Sequence, residues 1–201
     1  MARRLLAQDL LSNCVSLEQQ LDVWYAAANA PRELHQPVIL WVDDAVDAQI
    51  PFGDTFGFAD SLHALMFIYY WSALVLFHPC IRALHDAIFH PVLDAFPQVY
   101  PNLPAHLQAV DPSRYCPKEV RELAANVCRS LDYALRNSAQ PDLLVAPLFI
   151  VEEFYREINA SAGDGQLELM WCEAFRQRLT AKGQDMSQVL QKRSWQEMGN
   201  W

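Results

Sequence analysis

Phe58-Ala-Asp-Ser-Leu-His-Ala-Leu-Met-Phe-Ile-Tyr-Tyr-Trp-Ser-Ala-Leu-Val-Leu-Phe-His78 is the stretch on which the fold turns. No charged residue occurs between Asp60 and Arg82. A helix of this composition is apolar nearly all round, and such helices are covered by other helices or by lipid. The dense part, Ala64 to Phe77, is 14 residues long, short of the roughly 20 that a spanning helix needs. His63 flanks it on one side, His78 and Pro79 on the other, with no basic cluster to orient it. The reading is therefore a buried core helix in water. It predicts an all-α fold, an irregular bundle of about six to eight helices around a central helix at roughly 58–78. Residues 1–201 form one domain.

Outward from this centre, helical periodicity continues. Ser16-Leu-Glu-Gln19 reads as a capping box, opening a helix in which Leu17, Leu21, Trp24 and Ala28 share a face until Pro31 ends it. Residues 31–57 read as a long irregular connection. Within it Val38 to Val42 has strand composition but no evident partner. Asp60 is placed to cap the central helix, and Pro79 to kink or restart it, with an amphipathic continuation from Cys80 to Phe96. After a proline-rich connection, Pro117 starts a helix to about Asn137 with Val120, Leu123, Val127, Leu131 and Leu135 as its stripe. Pro141 opens a helix over 142–159, expected to kink at Pro147. Ser161 to Gly165 is a loop. The next helix, Gln166 to Lys182, turns Leu169, Cys172, Phe175 and Leu179 inward and stops at Gly183. Asp185 caps a last helix toward Trp201.

Composition narrows the function classes. A 52% hydrophobic content rules out global disorder. The net charge of −9, from 15 basic and 24 acidic residues, repels phosphate backbones and argues against direct nucleic-acid binding. Asp9 interrupts the apolar run after Arg3 and Arg4, so no secretory signal is read and an intracellular setting is expected. Cys14, Cys80, Cys116, Cys128 and Cys172 lack the close spacing of zinc or redox pairs and read as reduced, mostly buried thiols.

No residue is assigned a catalytic, cofactor-binding or metal-binding role. Asp43, Asp44 and Asp47 have the spacing of an aspartate-rich magnesium site, whose hard cation prefers carboxylate oxygens. They sit in a proline-bounded connection, however, and the companion Asn126, Ser130, Ala134 lacks its acid, so they read as a solvated loop. Glu152, Glu153 and Glu157, with Arg156 interleaved, read as a solvated helix face. His63, His78, His85 and His90 surround the central helix without zinc-ligand spacing. Tyr69, Tyr70 and Trp71 point around more than half of their helix, as core packing or as the lining of a hydrophobic cavity.

Taken in order, several segments carry a family likeness: Ile50-Pro-Phe-Gly, Thr55-Phe-Gly-Phe, Ser61 to Ala64, and Tyr70-Trp71-Ser-Ala-Leu-Val-Leu-Phe-His78. Val127-Cys-Arg-Ser-Leu-Asp-Tyr133, Leu144-Val-Ala-Pro147-Leu-Phe-Ile-Val151, Glu168 to Thr180 and Trp195-Gln-Glu-Met198 continue it. Together they resemble the regulatory domain of fungal zinc-cluster transcription factors, over most of residues 15–201. The six closely spaced cysteines and the basic DNA-reading region of that family are not among these residues. The resemblance implies a regulatory and interaction domain without its own DNA-binding module, linked to regulation of metabolism. It implies a protein partner or homodimer, room for a hydrophobic small-molecule ligand, and no membrane. Residence would be nuclear within a transcription factor and cytoplasmic otherwise. The competing expectation is a small helical cyclase or isomerase acting on an apolar substrate, magnesium-dependent through Asp43, Asp44 and Asp47. On the first expectation, an apolar face is left exposed for a partner.

Overall fold

Helix α1 (Ala2–Asn29) contains neither proline nor glycine and runs unbroken through Ser16. No capping box forms there, because the good helix formers before Ser16 already continue the helix backwards. Its inward face differs accordingly: Leu11 and Glu18 are buried, whereas Leu17 is exposed. In this computed structural model the described residues are 2–29, 40–43, 51–89, 107, 110–137 and 140–182.

Strand β1 (Leu40–Asp43) does find a partner. It pairs antiparallel with β2 (Thr55–Phe58), with Leu40 opposite Phe58 and Asp43 opposite Thr55. The sequence reading missed β2 and extended the central helix back to Phe58. That residue instead ends the strand, and its buried ring lies 6.0 Å from Phe67 and 5.3 Å from Tyr133.

Helix α2 (Ser61–Phe89) is the centre. Asp60 caps it as expected, accepting the His63 amide at 2.9 Å. Pro79 does not end it. The ring sits on an exposed side of the helix, where losing one backbone hydrogen bond costs least. With 29 residues it is long and apolar enough to cross a membrane, with mean hydropathy 1.6 in its most apolar window, half of which is buried within the protein. The 14-residue core therefore understated its length.

A 3-10 turn (Pro112–Tyr115), capped by Asp111, leads into α3 (Pro117–Asn137). Pro117 opens it at the predicted position, and Val120, Val127, Leu131 and Leu135 are buried along its stripe. A second 3-10 turn (Pro141–Leu144) precedes α4 (Val145–Ala162). The expected kink at Pro147 has no cause, because Pro147 falls in the first turn, where its missing N–H has no intrahelical acceptor. Gly163 ends α4 at φ 68°, its amide donating to the Asn159 carbonyl. Gly165, at φ 93°, would bring a Cβ within 3.2 Å of the Tyr155 carbonyl. The turn into α5 (Gln166–Ala181) thus requires glycine there.

Five α-helices are present among the described residues, so the fold is all-α with one small hairpin. Among these residues the helices expected on either side of Pro79 are one helix, α2, and α1 begins well before Ser16. The helix proposed for 185–201, the stretch from 90 to 96, and His90 lie outside the described residues.

Helix α2 packs chiefly on α3 and α1. Both neighbours run antiparallel to it. Trp24 and Tyr25 of α1 meet Phe67 and Tyr70 near the start of α2, whereas Leu11 clusters with Ile81 and Ile88 near its end. Tyr133, late in α3, donates its hydroxyl to the Phe58 carbonyl. Trp71 lies at the heart of the main core, its ring 5.6 Å from both Phe56 and Phe67.

Candidate functional site

Helix α2 is covered on three sides. Ala64, Ile68, Trp71 and Val75 form one buried strip, while Phe67, Tyr70, Leu74 and His78 form the next. The remaining side carries Leu62, Met66, Tyr69, Ala73, Leu76, Cys80, Ala83 and Ala87, all exposed. Leu62 is 64% accessible, Tyr69 43% and Leu76 42%. These positions alternate by four and three residues without a slip, the 3.5-residue spacing of a helix–helix seam. Every exposed residue of α2 is apolar, cysteine and tyrosine included. An ordinary surface helix shows its polar face to water. Arg82 and Asp86, with side chains 43% and 45% accessible, flank the strip toward its C-terminal end, and His63 and His85 are half-buried.

The patch extends onto α1. Cys14 of α1 packs against the cluster that holds Leu11, Ile81 and Ile88, and burial raises its pKa, with a smaller push from the Cys80 thiol. Leu10 and Leu17, about one turn either side of Cys14, are both exposed, as is Leu6. The result is a ridge of apolar side chains about 37 Å long on α2, from 1.5 Å per residue, with a shorter apolar flank.

Behind this face is a buried polar junction. Glu18 of α1 accepts the Tyr115 hydroxyl at 2.6 Å. His78 Nε2 and Arg114 Nε each approach its other oxygen to 3.1 Å. The histidine contact is close enough for an ion pair without being aligned as a hydrogen bond, and His78 Nδ1 is buried without a hydrogen-bond partner among the described residues. Arg114 also grips Asp22, at 2.7 and 2.8 Å. Burial opposes ionisation of Glu18, but contacts with His78 and Tyr115 and the Arg114 charge together outweigh it, holding its pKa below the ordinary value. The same burial and the bond to Glu18 push the Tyr115 phenol up. Sequence reasoning missed this junction, having placed Glu18 in a cap and treated His78 as the end of an apolar run. Its members come from three elements, and no local spacing joins them.

Other predicted candidates fall elsewhere. Asp43 ends strand β1, so it does not share a helical face with Asp44 and Asp47, which lie outside the described residues. Ser130 is buried, its hydroxyl turned back to the Asn126 carbonyl at 2.7 Å, and Ala134 is buried beside it, so that companion stretch is core. Glu152 is buried, correcting the solvated-face reading: Arg156 and Arg176 both hold it. Glu153 pairs with Arg156, and Glu157 is exposed. Of the five free cysteines only Cys128 and Cys172 are buried, and Cys80 is exposed on the seam. Tyr70 and Trp71 are buried in packing, whereas Tyr69 is exposed and donates to the Leu143 carbonyl at 2.8 Å. His63 pairs with Asp60 at 2.8 Å, and His85 stacks on Phe89.

Tyr155 is fully buried between α3 and α5, and its hydroxyl has no hydrogen-bond partner among the described residues. An unpaired buried hydroxyl costs about 1–3 kcal/mol. Tyr155→Phe is therefore expected to raise stability by about 1 kcal/mol, seen as a higher urea midpoint at unchanged slope.

No protein-family model matches the chain, and no curated protein or solved structure matches it. What the fold defines is an all-α domain with an exposed, uncharged strip of side chains along its central helix.

Proposed function

We propose that the chain is a regulatory and interaction domain of the kind found in fungal zinc-cluster transcription factors, acting without a DNA-binding module of its own and docking a protein partner on the exposed side of α2. The observation that carries this reading is the uncharged seam from Leu62 to Ala87. Contiguous apolar surface of this extent marks interaction sites, since water-facing helices otherwise hide it. The acidic remainder of the surface suits a protein partner better than a nucleic acid. The order of motifs along the chain supports the family assignment, and six to eight helices remain the proposed full complement.

The test joins sedimentation with a polarity-sensitive fluorescent dye. The folded chain is expected either to bind the dye or to assemble, and Ala73→Glu, at an exposed site, is expected to abolish whichever occurs without changing the helical circular dichroism. A wild-type monomer that leaves the dye dark would overturn the proposal.

A further inference from the structure

The seam has an internal symmetry that a general docking face does not need. Read from its two ends toward the middle, Leu62 corresponds to Ala87, Met66 to Ala83, Tyr69 to Cys80, and Leu76 to Ala73. Each correspondence joins one large side chain to one small one. The four-three spacing reads the same in both directions, so an antiparallel copy of this helix meets it in register. Facing positions that alternate large and small interdigitate without voids or clashes.

Resting on the reading of α2 as a docking face, we propose that its partner is a second copy of this chain, paired antiparallel across the Leu62–Ala87 seam about a two-fold axis passing between Ala73 and Leu76. Such a contact is isologous, the same patch serving both subunits and closing the assembly at two. With α1 flanking α2, the product is a four-helix layer in which Leu10 and Leu17 widen the contact.

Area supports the choice of occupant. A helix face about 37 Å long and about 10 Å wide, with the α1 flank added, offers about 500 Å² per copy. Two copies bury about 1,000 Å², the lower bound for a specific interface. Charge permits it as well. Each chain carries −9, but the eight seam positions are uncharged, and the bordering Arg82 and Asp86 are paired with each other at 3.8 Å, so the two α2 seams meet without like charges along their centre. A lipid surface fits less well, because binding one is helped by basic residues around the apolar face, and Arg82 has Asp86 beside it at 3.8 Å.

The experiment is sedimentation of the full chain over a concentration series, with three variants at exposed seam positions. Wild type is expected to show a reversible equilibrium between the 23.0 kDa chain and its dimer. Ala73→Glu is expected to weaken the dimer about 100-fold or more, because it buries two unpaired charges near the axis. Ala83→Leu sets leucine against Met66 of the other copy, twice, and is expected to weaken it about tenfold. The double variant Met66→Ala/Ala83→Leu restores one large and one small residue per pair and is expected to recover most of that loss. Circular dichroism and dye fluorescence on the same samples separate the outcomes. A dimer indifferent to Ala73→Glu, or one that the double variant does not rescue, overturns the antiparallel pairing. A wild-type monomer that binds dye, or that binds phosphatidylcholine vesicles through the seam, overturns the second copy as occupant; in the dye case the docking reading stands. A monomer that binds nothing overturns both.

Discussion

Trp71→Ala is expected to cost about 3–5 kcal/mol, the range for deleting a large aromatic from a packed core. The residue is 3% accessible within the main core, with the Phe56 and Phe67 rings each 5.6 Å away. No small rearrangement fills the space it leaves, because those neighbours are held by other contacts. Phe67 packs against Trp24, Tyr25 and Phe58 as well. For a domain of this size each kcal/mol lowers the melting temperature by about 2–4 °C, so a drop of about 10 °C is expected by calorimetry. Val23→Ala, on the outer face of α1 at 70% accessibility, is the control, with a change within about 0.5 kcal/mol. Equal effects at the two sites would mean that α2 is not the centre of the core.

Glu18→Gln is expected to destabilise by about 2–4 kcal/mol, because it strips a buried carboxylate from the Arg114 guanidinium that remains. Arg114 keeps Asp22 as a partner, but its Nε loses the Glu18 charge, and the amide cannot serve Tyr115, Arg114 and His78 as two carboxylate oxygens do. The pH dependence has a definite sign. Glu18 is held below its ordinary pKa of 4.5 in the folded chain, so the unfolded chain binds more protons in the interval between the two values. Its contribution is complete above the ordinary value and is lost as the pH falls through the lower folded value. Denaturant titrations from pH 6 downward are therefore expected to show stability declining on the acid side of about 4.5. The decline is expected to be shallower in Glu18→Gln. An acid limb identical in both proteins would remove Glu18 as its source.

Much of the helical layout is legible in the sequence. Asp60 and Pro117 start helices where expected, each for a local reason: a side-chain cap in one case, a fixed φ in the other. The inward stripe of α3 and the burial of Cys172, Phe175 and Leu179 in α5 follow from their spacing. Errors came where a local signal lost to its context. Ser16 looks like a cap, but the helix before it is already formed; Pro79 looks like a break, but α2 continues through it, with helices packed around it. Strand β2 is four residues long and gains its stability from β1 and the helices beneath it, which no window of sequence contains.

What the residues alone decide is that the chain is helical and that the run ending in Trp71 and His78 lies at its centre, since burying so apolar a helix dominates the free energy of folding. Which side of that helix stays uncovered is decided only when α1, α3 and α4 take their places, because a segment apolar all round carries no polar edge to mark its outer face. The Glu18 junction is likewise tertiary: Tyr115 reaches it across 97 residues of sequence, and a carboxylate is stable in that interior only once the Arg114 guanidinium has arrived beside it.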